Sequence, residues 1–226
     1  IKTYQQAIPS LFTFNALNII SDGWSAAYGT ISSSFKYYKP WKSIDGINIE
    51  NSHDLQMEFL IKGLCNKNTL LNAIQNFIVY EKTEKVTIKK IAQYHQYYAV
   101  NKAIATTLKA TQLQGSKKAG VIWHTQGSGK SLTMVMLAQA IAMDKTIRNP
   151  KIILVTDRTD LDRQITGTFR KCGRFVENAS TGQRLVELLE SKSDAVVTTI
   201  INKFVAAIKK IKKPLESHDI FVLVDE

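Results

Sequence analysis

The sequence has few cysteines and histidines and no long apolar run. Its two cysteines, Cys65 and Cys172, lie far apart and outside any Cys-x-x-Cys pair, so neither a disulfide framework nor a zinc site is indicated. The four histidines show no metal-ligand spacing, and no Ser/His/Asp grouping indicates acyl transfer. No apolar run approaches the ~20 residues that span a bilayer, and the first residues do not resemble a signal peptide. These absences fit a globular protein of a reducing cytoplasm.

Negative charge is also scarce, and the excess of positive charge is uneven. The chain of 226 residues carries a formal net charge of +11. Residues 1–80 contain six Lys/Arg and five Asp/Glu, whereas residues 81–226 contain 24 and 14. This asymmetry indicates a polyanionic partner for the second part. A generally basic, solvated surface is the alternative.

The most informative motif is the stretch His-Thr-Gln-Gly-Ser-Gly-Lys-Ser at residues 124–131. It lies between an apolar run at 119–123 and an apolar-periodic run at 132–142, which predicts a turn between a buried strand and a helix. The generic phosphate-loop pattern is G-x-x-x-x-G-K-[ST]. His124 replaces its first glycine, but the rest of the pattern and its context are retained.

The residue types of this turn suit a phosphate group. Gly127 and Gly129 can adopt positive φ and let the backbone approach an anion, while N–H groups at the helix N-terminus point towards it. Lys130 is expected to reach the β- and γ-phosphates of a nucleotide, and the Ser131 hydroxyl to bind Mg²⁺.

A second motif stands at the other end of the same region. Four apolar residues, Phe221 to Val224, form a strand pattern that ends in Asp225 and Glu226. We expect Asp225 to hold the Mg²⁺ and Glu226 to orient or deprotonate a water molecule.

The predicted elements divide the chain near Glu81. Before it, strand-like runs at 16–20 and 27–31 form a hairpin and are followed by helices at 54–64, with Asp54 as N-cap, and at 69–80. After it, strands alternate with helices, which predicts a parallel, doubly wound sheet. The predicted strands are 119–123, 151–156, 195–200 and 219–224. The predicted helices are 91–109, 131–143, 160–171, 181–191 and 202–211.

Five segments together resemble the first motor domain of superfamily 2 translocases. They are 94–100, 124–131, 154–164, 196–204 and 224–226. Their details are most similar to the restriction (R) subunit of type I restriction–modification enzymes. That family writes its first motif as His-Thr-Gln-Gly-Ser-Gly-Lys-Ser/Thr, follows it with Thr-Asp-Arg-x-x-Leu-x-x-Gln, and later has Thr-Thr before a Lys/Phe pair. The resemblance covers essentially the whole chain and is specific over 91–226.

The resemblance implies an ATP site that works with Mg²⁺. Gln96 matches the glutamine that reads the adenine edge, and a solvated helix residue is the alternative. The remaining residues expected at ATP are Thr125, Gln126, Gly127, Ser128, Gly129, Lys130 and Ser131. Lys130, Asp225 and Glu226 are the expected catalytic residues of the ATPase, and Ser131 and Asp225 the expected Mg²⁺ ligands.

The resemblance also implies contacts with the backbone of duplex DNA. The matching residues are Thr156, Arg158, Gln164, Thr198, Thr199 and Lys203. Asp160 is more simply explained as a helix N-cap. Four lysines either extend this track or form a charged helix end: Lys209, Lys210, Lys212 and Lys213.

In the R subunits a nuclease domain with an Asp…Glu-x-Lys metal site and a following Gln-x-x-x-Tyr element precedes the motor. The only Glu-x-Lys in this sequence, Glu190 to Lys192, falls on a predicted motor helix and is not assigned to a nuclease. The first four residues resemble the tail of Gln-x-x-x-Tyr, so Tyr4 is the expected nuclease residue, with the metal ligands upstream of Ile1. The alternative is that residues 1–80 are a packing module.

We therefore predict an α/β chain: the C-terminal part of an α/β restriction-endonuclease-like domain (1–80), then a truncated RecA-like parallel-sheet motor domain (81–226). The resemblance implies an ATP-dependent type I site-specific deoxyribonuclease of the bacterial or archaeal cytoplasm. Its expected partners are duplex DNA and the methyltransferase and specificity subunits. Two alternatives remain: another superfamily 2 DNA motor with an accessory module, and a non-enzymatic nucleotide-gated binding module.

Overall fold

The computed structural model describes residues 2–51, 54–112, 114–147, 149–191, 195–211 and 219–225. The chain divides into two compact units, Ile1–Asn101 and Lys102–Glu226. The sequence pattern places a domain boundary earlier, near Glu81, and that assignment stays a prediction. None of the described helices is both long and apolar enough to cross a membrane.

The first unit is built from short elements. They are α1 (Lys2–Ala7), β1 (Asn18–Ser21), β2 (Ala26–Gly29), α2 (Gln56–Phe59), α3 (Lys67–Asn76), β3 (Ile78–Lys82) and β4 (Thr87–Ile91), with 3₁₀ turns at Pro9–Phe12 and Phe35–Tyr37 and a π-helical turn at Leu60–Leu64. β1 and β2 pair antiparallel, which confirms the predicted hairpin. Asp22 Oδ1 closes its turn by accepting hydrogen bonds from the N–H groups of Trp24 and Ser25.

The pairing of β3 with β4 was not predicted. The expected helix at 69–80 ends at Asn76, and the next residues form a strand that pairs antiparallel with Thr87–Ile91. An apolar run of this length fits a helix or a strand equally well, and hydrogen bonds to a partner strand decide between them. The prediction of Asp54 as an N-cap is also wrong, because α2 is preceded by Leu55 and the Asp54 carboxylate accepts from the Asn51 N–H instead.

Aromatic side chains form the core of the first unit. Trp41 lies against Tyr28 and Tyr97, with ring centroids 5.6 and 5.4 Å apart, and Phe77 packs on Tyr97 at 4.7 Å. The buried Tyr28 hydroxyl donates a 2.7 Å hydrogen bond to the carbonyl of Ala92. Burial raises the pKa of Tyr28, so the hydroxyl stays protonated as a donor.

The second unit is an alternating α/β structure. Its elements are α4 (Tyr94–Thr111, which begins in the first unit), α5 (Lys130–Met143), β5 (Lys151–Thr156), α6 (Thr159–Lys171), β6 (Val176–Asn178), α7 (Gly182–Glu190), β7 (Val196–Ile200), α8 (Ile201–Ile208) and β8 (Ile220–Asp225). The strands form a parallel sheet in the order β6-β7-β5-β8. This architecture confirms the predicted α/β class and is compatible with a RecA-like domain.

The strand β5 lies at the centre of this packing. All six of its residues are buried, as is typical of a parallel strand covered on both faces. On one face, its residues and those of β7 pack against α7 and α8. The residues of this cluster are Ile153, Val155, Ala179, Leu185, Val186, Leu188, Leu189, Val197 and Ala207. The helix α6 contacts β5, β6 and β7.

The prediction of a buried strand at 119–123 is wrong. These residues form no strand, and Val121 and Trp123 are 92% and 90% exposed. In the described part of the chain, β8 pairs with β5 along one edge only. Two of its apolar side chains, Val222 and Val224, are 42% and 65% exposed. An apolar run becomes a strand only where another strand supplies hydrogen-bond partners, and none of the described strands pairs with 119–123.

Candidate nucleotide-binding and DNA-contacting site

The glycine-rich stretch forms a loop that opens the helix α5. Gly127 and Gly129 have φ of 78° and 85°, in the left-handed region that glycine tolerates best. The carbonyl of Gly129 accepts the N–H groups of Leu132 and Thr133, each at 3.0 Å. The N–H groups of the first two helical residues, Lys130 and Ser131, donate no hydrogen bond to any described residue. Unpaired N–H groups at a helix N-terminus suit an anion.

The space around this loop fits a phosphate chain. A Cβ placed on Gly127 would meet no atom within 4 Å, so the space beside this residue is open. Lys130 is exposed and Ser131 half-buried, which leaves an ammonium and a hydroxyl available beside the N–H groups. Thr125 and Gln126 are exposed as well, and the Thr125 carbonyl accepts the N–H of Ser128 at 3.3 Å. These donors fit the phosphates of a nucleotide and its Mg²⁺ ion.

The acidic end of β8 lies at the carboxyl edge of the sheet. Asp225 is half-buried and stands beside Thr156 in the register of β8 and β5. Glu226, the second expected carboxylate, lies outside the described residues. Within those residues, no group of three or more His, Cys, Asp and Glu side chains could hold a metal ion by itself. A Mg²⁺ site here would need the Ser131 hydroxyl and nucleotide phosphates as further ligands.

The structure does not carry the phosphate loop on a strand of the sheet. The loop was expected to follow a buried strand at 119–123, which would hold it at the carboxyl edge beside Asp225. That segment forms no strand in the described structure, so the loop leads into α5 without a preceding strand of the sheet.

Gln96 belongs to the first unit and is buried. Its Oε1 accepts the N–H of Gln93 at 2.9 Å. Gln96 is the third residue of α4, and a glutamine there commonly bonds back to the N–H just before the helix. The alternative of a solvated helix residue is therefore wrong, while a role at adenine stays a prediction.

The six residues matched to DNA contacts fall into two groups. Arg158 and Gln164 are exposed, and Lys203 is half-buried. Thr156, Thr198 and Thr199 are fully buried in the sheet. The Thr156 hydroxyl lies 3.3 Å from the Arg158 carbonyl and donates to it. We therefore find positive and amide groups on the surface, whereas the hydroxyl groups face the interior.

The surroundings of these residues correct one expectation. Asp160 is not the N-cap of α6, because the helix begins at Thr159 and is preceded by Arg158, which makes no side-chain cap. Asp160 is exposed, with its carboxylate 3.7 Å from Arg163. The exposed lysines Lys209 and Lys210 follow α8 directly. Lys192, Lys212 and Lys213 lie outside the described residues.

Sequence reasoning missed a polar network under α6, in which Asp162, Thr166 and Thr198 are buried and Asn178 is exposed. Asp162 Oδ2 accepts from Asn178 Nδ2 at 2.5 Å, and the same amide donates to Thr198 Oγ1 at 3.0 Å. Thr198 Oγ1 in turn lies 3.0 Å from Thr166 Oγ1. The available signal was spacing: Asp162 and Thr166 stand on the same helix face as the apolar residue Ile165.

Tyr4, the expected nuclease residue, lies on α1 and is exposed. The next residue, Gln5, donates a 3.0 Å hydrogen bond from Nε2 to the Ile31 carbonyl, which ties α1 to the segment after β2. The role of Tyr4 and the endonuclease-like character of this unit stay predictions.

Comparison with known proteins identifies the family. A model of the SWI2/SNF2 ATPase family matches residues 95–226. The chain is 37% identical, over its whole length, to the type I restriction enzyme HindI endonuclease subunit of Haemophilus influenzae, of which it covers 22%.

Two archaeal proteins from Methanocaldococcus jannaschii show the same likeness. The chain is 27% identical to the putative MjaIXP endonuclease subunit over all of its residues and 32% identical to the putative MjaVIIP endonuclease subunit over 98% of them. It covers 23% and 20% of these proteins, so it spans less than a quarter of the length of its curated relatives. The resemblance to R subunits is thereby confirmed. The chain belongs to the SWI2/SNF2 ATPase family, and over its whole length it is similar to the endonuclease subunits of type I restriction enzymes.

Proposed function

We propose that the chain is part of the R subunit of a type I restriction–modification enzyme. The intact subunit hydrolyses ATP with Mg²⁺, pulls duplex DNA past a methyltransferase–specificity core and cleaves the DNA at a distance. The observation that carries this proposal is the open, glycine-lined loop at the N-terminus of α5, with its unpaired N–H groups and exposed Lys130. The names of the relatives support the coupling of this ATPase to DNA cleavage.

In this proposal the phosphate loop and the end of β8 both contact the nucleotide and its Mg²⁺ ion. The N–H groups of Lys130 and Ser131 bind the phosphates, and the Lys130 ammonium neutralises charge on the β- and γ-phosphates. The Ser131 hydroxyl and Asp225 carboxylate hold Mg²⁺, and Glu226 orients the attacking water. When bound, ATP with Mg²⁺ supplies the phosphoryl group whose transfer to water drives movement.

Polar residues that follow β5 and β7 contact the DNA. Arg158, Gln164 and Lys203 can reach phosphate oxygens, which fix the position of the duplex without reading its sequence. The buried hydroxyl groups of Thr156, Thr198 and Thr199 shape the strand ends that present them. Recognition of a DNA sequence belongs to the specificity subunit in this scheme.

Cleavage belongs to the nuclease domain that we place at the start of the chain. Tyr4 is the nuclease residue that the chain itself would contribute. The enzyme would work in the cytoplasm of a bacterium or archaeon, together with its methyltransferase subunit.

Replacement of Lys130 tests the ATPase. In the whole subunit, Lys130→Ala should lower DNA-stimulated ATP hydrolysis by at least about a hundredfold, because the positive charge that stabilises the transferring phosphoryl group is lost. Lys145→Ala is the matched control, since Lys145 is an exposed lysine just beyond the other end of α5. The measurement is the rate of phosphate release from ATP by both variants. Normal turnover by Lys130→Ala would contradict the assignment of the loop to the ATP site.

A second candidate is another DNA motor of the same superfamily with an accessory first unit. The match of the SWI2/SNF2 ATPase model to residues 95–226 alone favours it. The two candidates differ in the fate of the DNA. An intact subunit that hydrolyses ATP and moves on DNA, yet leaves the duplex uncut when its partner subunits are present, would favour the second candidate.

A further inference from the structure

The helix α6 carries a carboxylate on its buried face. The buried residues of this helix are Asp162, Ile165, Thr166 and Phe169, spaced three or four apart and therefore on one side. Asp162 is only 8% exposed. Burying a carboxylate carries a desolvation cost of several kcal/mol unless other groups compensate for it. Its presence among Ile165 and Phe169 therefore needs a reason.

The partners of Asp162 are neutral. Its Oδ2 accepts from Asn178, and neither of its oxygens lies within ion-pair distance of a described lysine, arginine or histidine. Its Oδ1 is buried and accepts no hydrogen bond from the described residues. An apolar side chain of similar volume would pack here at a lower cost of desolvation. Stability alone is thus a poor explanation for this carboxylate.

The network joins three elements that end at the same edge of the sheet. Asp162 lies in the first turn of α6, Asn178 is the last residue of β6, and Thr198, the middle residue of β7, pairs with Asn178 in the register of the sheet. The Asn178 amide is held by both of the others, at 2.5 Å from Asp162 Oδ2 and 3.0 Å from Thr198 Oγ1. A second link, from Thr198 Oγ1 to Thr166 Oγ1, returns to α6 at 3.0 Å.

The elements so joined carry the proposed DNA-contacting groups. Arg158 immediately precedes α6, and Lys203 lies in the first turn of α8, which follows β7 directly. In the register of the sheet, the last residue of β5, Thr156, pairs with the last residue of β7, Ile200. The two cationic groups therefore leave neighbouring strand ends. Their separation depends on how α6 sits over β7, which the network fixes.

We propose that Asp162 is a positioning residue. Through Asn178 and Thr198 it holds α6 on β7, so that Arg158 and Lys203, which follow neighbouring strand ends, are presented together to a DNA backbone. The inference rests on the proposed function of the chain as a DNA motor. It adds that the buried Thr198 acts on DNA indirectly, through hydrogen bonds inside the protein, and not as a phosphate ligand.

The test uses the whole subunit and duplex DNA of arbitrary sequence. Asp162→Asn keeps the shape of the side chain but removes the charge that the Asn178 amide recognises. We expect the DNA concentration that gives half-maximal ATPase stimulation to rise about tenfold, the equivalent of one hydrogen bond to a charged group. The turnover number at saturating DNA should change by less than about twofold, since the ATP site is untouched.

Two further variants make the result specific. Asp160→Asn is the matched control, because it makes the same change in the same helical turn at a side chain that is 91% exposed. It should leave the half-saturating DNA concentration unchanged. Thr198→Val removes the hydroxyl but keeps the volume and should weaken DNA stimulation in the same direction, whereas Thr198→Ser should restore it. If Asp162→Asn does not fold, as judged by a missing thermal transition, the half-saturating DNA concentrations of Thr198→Val and Thr198→Ser test the inference instead.

The outcomes separate this inference from the proposed function. Suppose that DNA stimulates ATP hydrolysis by the wild-type subunit, and that Asp162→Asn and Asp160→Asn need the same DNA concentration for half-maximal stimulation. That result would overturn the inference but not the proposed function. A fall in turnover number without a change in half-saturating DNA would also overturn it, because the network would then serve the ATP site. A wild-type subunit whose ATP hydrolysis ignores DNA would overturn both.

Discussion

At the scale of the residue, Lys151 shows how a buried cation can serve stability. It opens β5, is buried, and its Nζ donates to the carbonyls of Leu188 (3.0 Å) and Ser191 at the end of α7. The last carbonyls of a helix lack partners within the helix, and a lysine at that end also complements the helix dipole. A lysine normally marks a surface position, so the sequence did not reveal this capping role.

Lys151→Met should destabilise the fold. It keeps most of the side-chain volume but leaves the α7 carbonyls buried without a charged donor, at a cost of about 2 to 3 kcal/mol in the free energy of unfolding. For a chain of this size the midpoint of thermal unfolding should fall by roughly 5 to 10 °C. Lys209→Met, at the exposed end of α8, is the control and should change stability by less than about 0.5 kcal/mol. Equal midpoints for the two variants would refute the capping role.

At the scale of the element, α6 offers two glycines with opposite expectations. Gly173 follows the helix with φ of 74°, its N–H donates to the Arg170 carbonyl at 2.9 Å, and the Arg174 N–H donates to the Phe169 carbonyl at 3.0 Å. This is the glycine-dependent helix end known as the Schellman motif. Gly167 lies inside the helix, and a Cβ added there meets nothing within 4 Å.

Replacing each of these glycines with alanine should move stability in opposite directions. Gly173→Ala should destabilise by about 1 to 2 kcal/mol, because a Cβ is strained in the left-handed region. Gly167→Ala should stabilise by up to about 1 kcal/mol, because alanine loses less backbone entropy in a helix. Chemical denaturation of both variants beside the wild type measures the two changes, and a shift of the same sign for both would contradict the assignment of these positions.

A helix or strand could be predicted from the sequence only where the residues of that segment determine its structure by themselves. The helix α5 and the glycine-rich turn before it were predicted because their glycines, lysine and apolar spacing are local signals. The β3–β4 hairpin was missed because the apolar residues of 78–82 also fit helical spacing. The segment 119–123 was assigned wrongly, since an apolar pattern cannot report whether a pairing strand is present. The Asp162 network joins residues distant in sequence, so no local pattern could show it.

At the scale of the whole molecule, the pattern of strands and helices was enough to predict a parallel α/β sheet, and the motifs were enough to indicate the family. The burial of Thr156 and Thr198 could not be predicted from their motifs, because a motif records residue type and not the direction of a side chain. The expected DNA contacts of these residues came from the family resemblance. Because both side chains are buried, their hydroxyl groups are not presented at the protein surface.

The open side of β8 has a consequence for the behaviour of this chain in solution. A strand with the sequence Ile-Phe-Val-Leu-Val and an unpaired edge in the described structure can recruit the same strand of another molecule. The chain should therefore self-associate as its concentration rises, which light scattering can follow. Val224→Lys should suppress this association, whereas Val205→Lys, at a half-exposed position on α8, should not. The edge of β8 would then set the concentration up to which the chain stays monomeric.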